Sequence, residues 1–272
     1  MKIIISHDVD HITAWEHKKD LIIPKHLIRN CIELYKKSIS LKEAARRISD
    51  IIRNKWNNLE DLMEFDRSQN IPSTFFFGVK KGMCLAYDIS DVKFWAQKAQ
   101  KDGFNVGVHG IAFERLKDIK DEYDTFSSIT NLDSLGIRMH YLRRNTHTLE
   151  NIAKAGYKFD STMQSMAPPF KLSGLWEFPL HIMDGEIFSI NKRWQDQTIE
   201  DAKEKTKTIL EQADRDGIEY FTILLHDRYF SESFISWKNW YVWVLDYAKG
   251  NGYHFINYTD AIEELEKTTA GK

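Results

Sequence analysis

The feature that most constrains this chain is an alternation: short apolar or aromatic runs, each followed by a longer segment with helical punctuation. The runs fall at residues 3–5, 73–77, 105–108, 136–141, 157–160, 175–180, 186–190, 220–225 and 254–256. Most are rich in β-branched or aromatic residues and bounded by Gly, Pro or polar residues, as strands are. Between them, Ser90 opens a stretch with Val92, Trp95, Ala96 and Ala99 on one side, closed by Gly103. Thr198 with Asp201 makes a capping-box pattern for a helix closing at Gly217. Residues 148–155 close at Gly156, and 237–249 at Gly250. Strand then helix, repeated about seven times, implies parallel strands joined by right-handed crossovers. At 272 residues the expectation is an α/β fold, a (β/α) barrel ahead of an open doubly wound sheet.

One connection is long. Residues 12–72 separate the first two runs, where a crossover needs roughly a dozen residues. Helices are expected around 24–37, 41–55 and 59–68, with no strand among them. This segment reads as a helical insertion covering one face of a single catalytic barrel, residues 1–272.

The net charge of −2 gives no basic field to draw the chain to nucleic acid or anionic lipid. No apolar run is long enough to insert in a membrane. Cys31 and Cys84 are far apart and form neither a disulfide framework nor a zinc cluster. The first residues lack the apolar length of a secretory signal, so a cytoplasmic location is expected.

Chemistry gathers at the ends of the strand-like runs. Asp8 and Asp10 are two apart on a strand, so both carboxylates point to one side. Two converging carboxylates repel unless a cation or proton stands between them. A strand-end turn capping the next helix would also use aspartates; the flanking His7 and His11 favour metal. His109 follows 105–108, and His226 follows 221–225. Arg138 and His140 share a face of their strand, where a guanidinium could pair with Asp8 or Asp10. Four strand ends thus bring Asp/Asp, His, Arg/His and His to the face where barrels do their chemistry. No phosphate loop, G-x-S-x-G elbow or H-E-x-x-H helix competes. Trp237, Trp240 and Trp243 lie in one helix and read as packing.

These residues resemble, over nearly the whole chain, the polysaccharide deacetylase superfamily with its distorted NodB-type (β/α)7-8 barrel. Ser6-His7-Asp8-Val9-Asp10-His11 is similar to the first motif, Gly107-Val108-His109-Gly110 to the second, Arg138-Met139-His140-Tyr141 to the third and Leu224-Leu225-His226 to the fifth. The phrases at 71–77, 156–162 and 179–185 resemble a branch found in O-antigen and capsule gene clusters. The resemblance implies Asp8 as general base, Asp10 and His109 as metal ligands, and His226 as general acid. It also implies that Arg138 tunes Asp8, that the Tyr141 backbone N–H serves the oxyanion, and that Leu224 borders the acyl pocket. The sequence departs from the second motif: Phe113 stands where a second histidine is expected. His140 is the first candidate for the third ligand, with Glu114 and His11 as others. Asp160 falls in the region of the fourth motif's aspartate, which pairs with the acid histidine, but lacks that motif's tryptophan. Asp227 would point away if the strand continued.

The implied activity is removal of an N-acyl group from an amino-sugar polysaccharide or its precursor, with one divalent metal. Zinc is the first candidate; cobalt, nickel or iron suit the same ligand types. Two alternatives stand beside it: a hydrolase of a small non-sugar amide, and a catalytically silent carbohydrate-binding protein.

Overall fold

Nearly all of β1 (Lys2–Val9) is buried. Such burial of a whole strand is the mark of a parallel strand covered on both faces. In the computed structural model, which describes residues 1–191 and 194–270, β1 is followed by β2 (Thr74–Phe77), β3 (Asn105–Gly110), β4 (Gly136–Met139) and β5 (Phe159–Asp160). Then come β6 (Phe170–Leu172), β7 (Leu175–Glu177), β8 (Ile182–Met183), β9 (Tyr220–Leu224) and β10 (His254–Phe255). The sheet runs β6-β7-β5-β4-β3-β2-β1-β9-β8, with β10 paired to the start of β1. Every ladder is parallel except β6–β7. Among the described residues no ladder joins β6 to β8, and only an isolated bridge, Gln164 to Leu180, spans that side. The architecture is therefore a curled sheet incompletely closed, a distorted (β/α) barrel.

The period-two rule sorts β1 onto two sides. Ile3, Ile5 and Val9 enter the large core beneath the helices. Ile4 packs instead with Phe76, Phe159, Phe178, Tyr220 and Tyr258 on the inner side. Ser6 and Asp8 continue that inner row. His7 faces outward, where its Nε2 lies 2.9 Å from Asp66 and its Nδ1 2.9 Å from the Leu225 carbonyl. It is a structural tie, not a neighbour of the inner carboxylates.

The helices are α1 (Ile22–Tyr35), α2 (Leu41–Ile52), α3 (Leu59–Ser68), α4 (Ile89–Lys101), α5 (Leu116–Thr130), α6 (Thr148–Ala155), α7 (Asp184–Phe188), α8 (Ile199–Arg215), α9 (Ile235–Gly250) and α10 (Tyr258–Ala270). The first three form the expected insertion. Pro24 is tolerated because it lies in the first turn of α1, where its missing N–H has no helical partner to lose. Ser40 and Glu43 cap α2 reciprocally, and Thr198 with Asp201 does the same for α8. Arg47 of α2, buried, pairs with Glu33 of α1 and donates to the Ser233 carbonyl at 2.8 Å. These contacts seat the insertion against the segment that follows β9. Gly156 ends α6 at φ 101°, a left-handed turn that costs glycine little.

Three expectations need correction. The run 186–190 is not a strand: residues up to Phe188 form α7, which buries Ile187 and stacks Phe188 on Trp237 with ring centres 4.5 Å apart. A short apolar run carries no period that separates helix from strand. The run 136–141 ends as a strand at Met139, because the chain kinks into left-handed conformations at Tyr141 (φ 56°) and Leu142 (φ 51°). The helix expected from Ser90 begins one residue earlier, after Asp88.

Candidate active site

Asp8 is set by the inner row of β1 and held by one cation. Arg138, from β4 and fully buried, donates to Asp8 Oδ1 and to Ser6 Oγ, both at 2.9 Å. Its remaining donors go to the Ser161 carbonyl (3.0 Å), Ser161 Oγ (2.9 Å) and the Tyr258 hydroxyl (2.8 Å). With every N–H assigned, the guanidinium has no freedom to leave the carboxylate. Burial opposes the charge on Asp8, but Arg138, then His109 and His226, outweigh it and hold the carboxyl below its ordinary value.

One residue past β1, Asp10 Oδ1 meets two imidazoles. His109 Nε2 and His140 Nδ1 each lie 3.2 Å from it, and 3.0 Å from each other. The opposite ring nitrogens settle the tautomers. His109 Nδ1 lies 3.0 Å from the Arg138 carbonyl, and His140 Nε2 lies 2.9 Å from the Met83 carbonyl. A carbonyl only accepts, so both of those nitrogens carry the proton. In the neutral imidazoles the two facing nitrogens are then both lone pairs, aimed at each other and at a carboxylate. Such an arrangement repels itself unless a cation or a proton stands in the middle. The geometry fits a metal: donors about 2.1 Å from a tetrahedral ion sit roughly 3.4 Å apart. Asp10 Oδ1 is also buried without a hydrogen bond of good geometry. In the alternative state, with a proton on the facing nitrogens, burial opposes the charge on Asp10, but His109 and His140, then His226, hold its carboxyl well below the usual range.

His109 reaches this point from the end of β3, in register with Arg138 on β4. The next residue, Gly110, permits the close packing there: a Cβ would lie 2.9 Å from Met139 Sδ and from Ile137. Glu122 of α5 then accepts from the Ile111 and Ala112 N–H groups at 3.2 Å, fixing the loop beyond His109. His140 stands two residues past Arg138 across an extended Met139, so it falls on the same inner side; the chain turns left-handed only beyond it, at Tyr141.

His226 stands past the end of β9, with Nε2 3.6 Å from Asp10 Oδ2. Its Nδ1 donates to Asp184 (2.9 Å), which also accepts the His226 backbone N–H at 2.7 Å. Burial disfavours the imidazolium, but Asp184, then Asp10 and Asp8, raise His226 well above the ordinary histidine value. Asp184 was missed as the partner of His226. It lies at the start of α7, between the runs at 175–180 and 186–190, within the phrase 179–185 that was read for its resemblance and not for its chemistry. Asp160, the aspartate expected in this role, instead accepts from Thr162 at 2.6 Å beside buried Glu177. Asp227 is turned under the loop, where it accepts from the Asn58 N–H at 3.2 Å.

A cavity of about 590 Å³ opens over these groups. Asp8, Asp10, His109, His140 and His226 lie along it with Tyr141, Met139, Met183, Trp237, Arg29 and Arg144. Leu224 is absent from that lining. It is the last residue of β9, paired between Ser6 and Met183 and 1% exposed, so Met139 and Met183 provide the apolar wall instead. Phe113 and Glu114 border a separate surface depression, with the Arg143 guanidinium 4.2 Å above the Phe113 ring. Glu114 therefore does not join Asp10 and His109. His11 does not either; its ring is turned to His17.

No family model matches the sequence, and no curated protein matches it. Solved structures do. A protein assigned as a polysaccharide deacetylase from Mycobacterium smegmatis is 16% identical, covers 99% of this chain and 91% of its own, and gives a TM-score of 0.64. The PuuE allantoinase is 12% identical over 95% of this chain and 87% of its own, with a TM-score of 0.62. A probable polysaccharide deacetylase of Pseudomonas aeruginosa PAO1 is 14% identical over 78% and 75%, with a TM-score of 0.57. The chain thus has the polysaccharide deacetylase fold, as the resemblance in its motifs implied.

Proposed function

We propose that this protein is a metal-dependent hydrolase that removes an N-acyl group from an amino sugar. The observation that carries the reading is the pair of imidazole lone pairs converging on the unpartnered Asp10 oxygen. Asp10, His109 and His140 would hold a divalent cation; zinc fits this donor set first, with cobalt, nickel and iron next. When bound, the cation supplies an electrophile for the acyl oxygen and lowers the pKa of water. Asp8 accepts the proton of the attacking water, and Arg138 keeps that carboxylate ionised and oriented. His226, kept protonated by Asp184, gives its proton to the departing amine, which is too basic to leave as an anion. Tyr141 contributes its backbone N–H on the oxyanion side, and Met139 with Met183 receives the acyl methyl. The exposed ring of Tyr141 at the mouth of the cavity suits a sugar ring. A nucleotide-linked or lipid-linked precursor in the cytoplasm is the proposed setting.

The test replaces Asp8 and Asp10 separately by asparagine. Asp10→Asn is expected to lose bound metal and turnover together; Asp8→Asn keeps the metal and loses turnover. If both variants retain full metal content and full deacylation rates, the assignment is wrong. The likeness to an allantoinase supports a second reading, hydrolysis of a small non-sugar amide on the same fold. Release of amine from N-acetylated sugars, set against release from small cyclic and linear amides, separates the two.

A further inference from the structure

Immediately after Asp10 the chain builds a second convergent group that the proposed reaction does not use. A single turn at residues 15–17 folds the start of the insertion back on itself. His17 Nε2 then lies 2.8 Å from His11 Nδ1 and 3.2 Å from Glu16 Oε1, and that oxygen is 4.0 Å from His11 Nδ1. His17 is buried, and the Glu16 side chain is only 7% exposed. The surrounding hydrogen bonds fix two of the three donors. His17 Nδ1 lies 2.8 Å from Asp20, an acceptor. The Glu16 carboxylate accepts from the Ile12 N–H at 3.1 Å and the Thr13 N–H at 3.0 Å. Trp56 walls the group, its ring centre 5.4 Å from that of His11 and 5.3 Å from that of His17.

With its Nδ1 proton committed to Asp20, a neutral His17 presents a lone pair to both His11 and Glu16. One proton on Nε2 can point at one of those partners; a cation serves all three at once. We propose that His11, Glu16 and His17 form a second metal site, one that takes a borderline divalent transition metal of the zinc class. Two imidazoles and a carboxylate are the donor types that class prefers, and the carboxylate behind His17 is the usual outer partner of a metal-bound imidazole. Arg228, stacked 4.1 Å from the Trp56 ring, is a cation in the neighbourhood. Glu16 and Asp20 supply the charge that offsets it. The site's role is to pin the first turn of the insertion beside the segment that carries Asp10. The inference stands apart from the catalytic reading, because it shares no ligand with Asp10, His109 and His140.

The experiment counts zinc equivalents by elemental mass spectrometry on the full chain, stripped with chelator and then reconstituted. The variants are His11→Asn, His17→Ala, Asp10→Asn and the Asp10→Asn/His11→Asn double. Two equivalents are expected in the unsubstituted protein, one in each single variant, and none in the double. Should His17→Ala fail to fold, His11→Asn decides alone, since that side chain lies partly at the surface. A His11→Asn protein that holds as much zinc as the unsubstituted chain overturns the second site. A single equivalent lost only on Asp10→Asn does the same, while leaving the catalytic reading intact. A single equivalent lost only on His11→Asn upholds the second site and removes the metal from the catalytic reading.

Discussion

Two groups of imidazole and carboxylate begin on adjacent residues, Asp10 and His11, and are made in opposite ways. The first draws Asp10, His109 and His140 from the ends of three different strands. The second draws His11, Glu16 and His17 from one short stretch of chain. In the first, the spare ring nitrogens are held by backbone carbonyls of Arg138 and Met83. In the second, the His17 ring is held by the side chain of Asp20. A backbone carbonyl neither titrates nor changes rotamer; a carboxylate on a surface turn does both. The barrel group is therefore preorganised by the fold, whereas the loop group is only as rigid as its own turn.

The largest break in this comparison comes from Asp10→Asn. Loss of the carboxylate is expected to lower turnover by about 10³-fold or more, as removal of a charge-stabilising group in a dry site does, read by amine release. The loop group should still take metal in that variant.

A second difference should appear in stability. Glu122, which holds the loop after His109, is raised by burial to about 7 from 4.5, although the Ala112 and Ile111 N–H groups and Lys80 act against the shift. The native state then binds its proton more tightly than the unfolded chain does. Its stabilisation is complete below pH 4.5 and is lost as pH rises towards 7, by roughly 3 kcal/mol over that window. Glu122→Gln should flatten this part of the curve in urea titrations at several pH values. A variant with the unsubstituted protein's slope would place the pH dependence elsewhere.

Asp184→Asn should act on the rate, not on the metal count. Asp184 is the first of the carboxylates that hold His226 above its ordinary value, so its loss lowers that value. The alkaline limb of the pH–rate profile should move to lower pH, and turnover fall about 10- to 100-fold as for other partners that orient a working histidine. An unmoved limb would mean that His226 is not the acid. The smallest effect is expected from His11→Asn, a drop in Tm of about 2–4 °C for roughly 1 kcal/mol in a chain of this size. That drop should vanish when both proteins are compared in chelator.

Much of the barrel group was legible because strands write their geometry locally. Residues two apart on a strand share a side, and that spacing alone placed Asp8 and Asp10 together. His109, Arg138 and His226 could be read as strand-end residues from the apolar runs before them. His7 misled for the same reason: beside Asp8 in sequence, it faces the opposite side, towards Asp66.

What sequence alone determined was the alternation of parallel strands with helices, the helical insertion, and which polar residues arrive at strand ends. Tertiary structure decided which of them meet. Phe113 left the third ligand open among His140, Glu114 and His11. His140 meets Asp10 and His109 because Glu114 lies at a separate depression on the loop beyond β3 and His11 turns to His17, which is a matter of packing and not of spacing. The partner of His226 is Asp184 and not Asp160, because α7 brings Asp184 beneath the end of β9. Leu224 was drawn into the sheet while Met139 and Met183 took the cavity wall. Periodicity is a property of neighbouring residues, whereas convergence requires chain segments far apart in sequence to pack in one register. That register is set by the core, not by the motif.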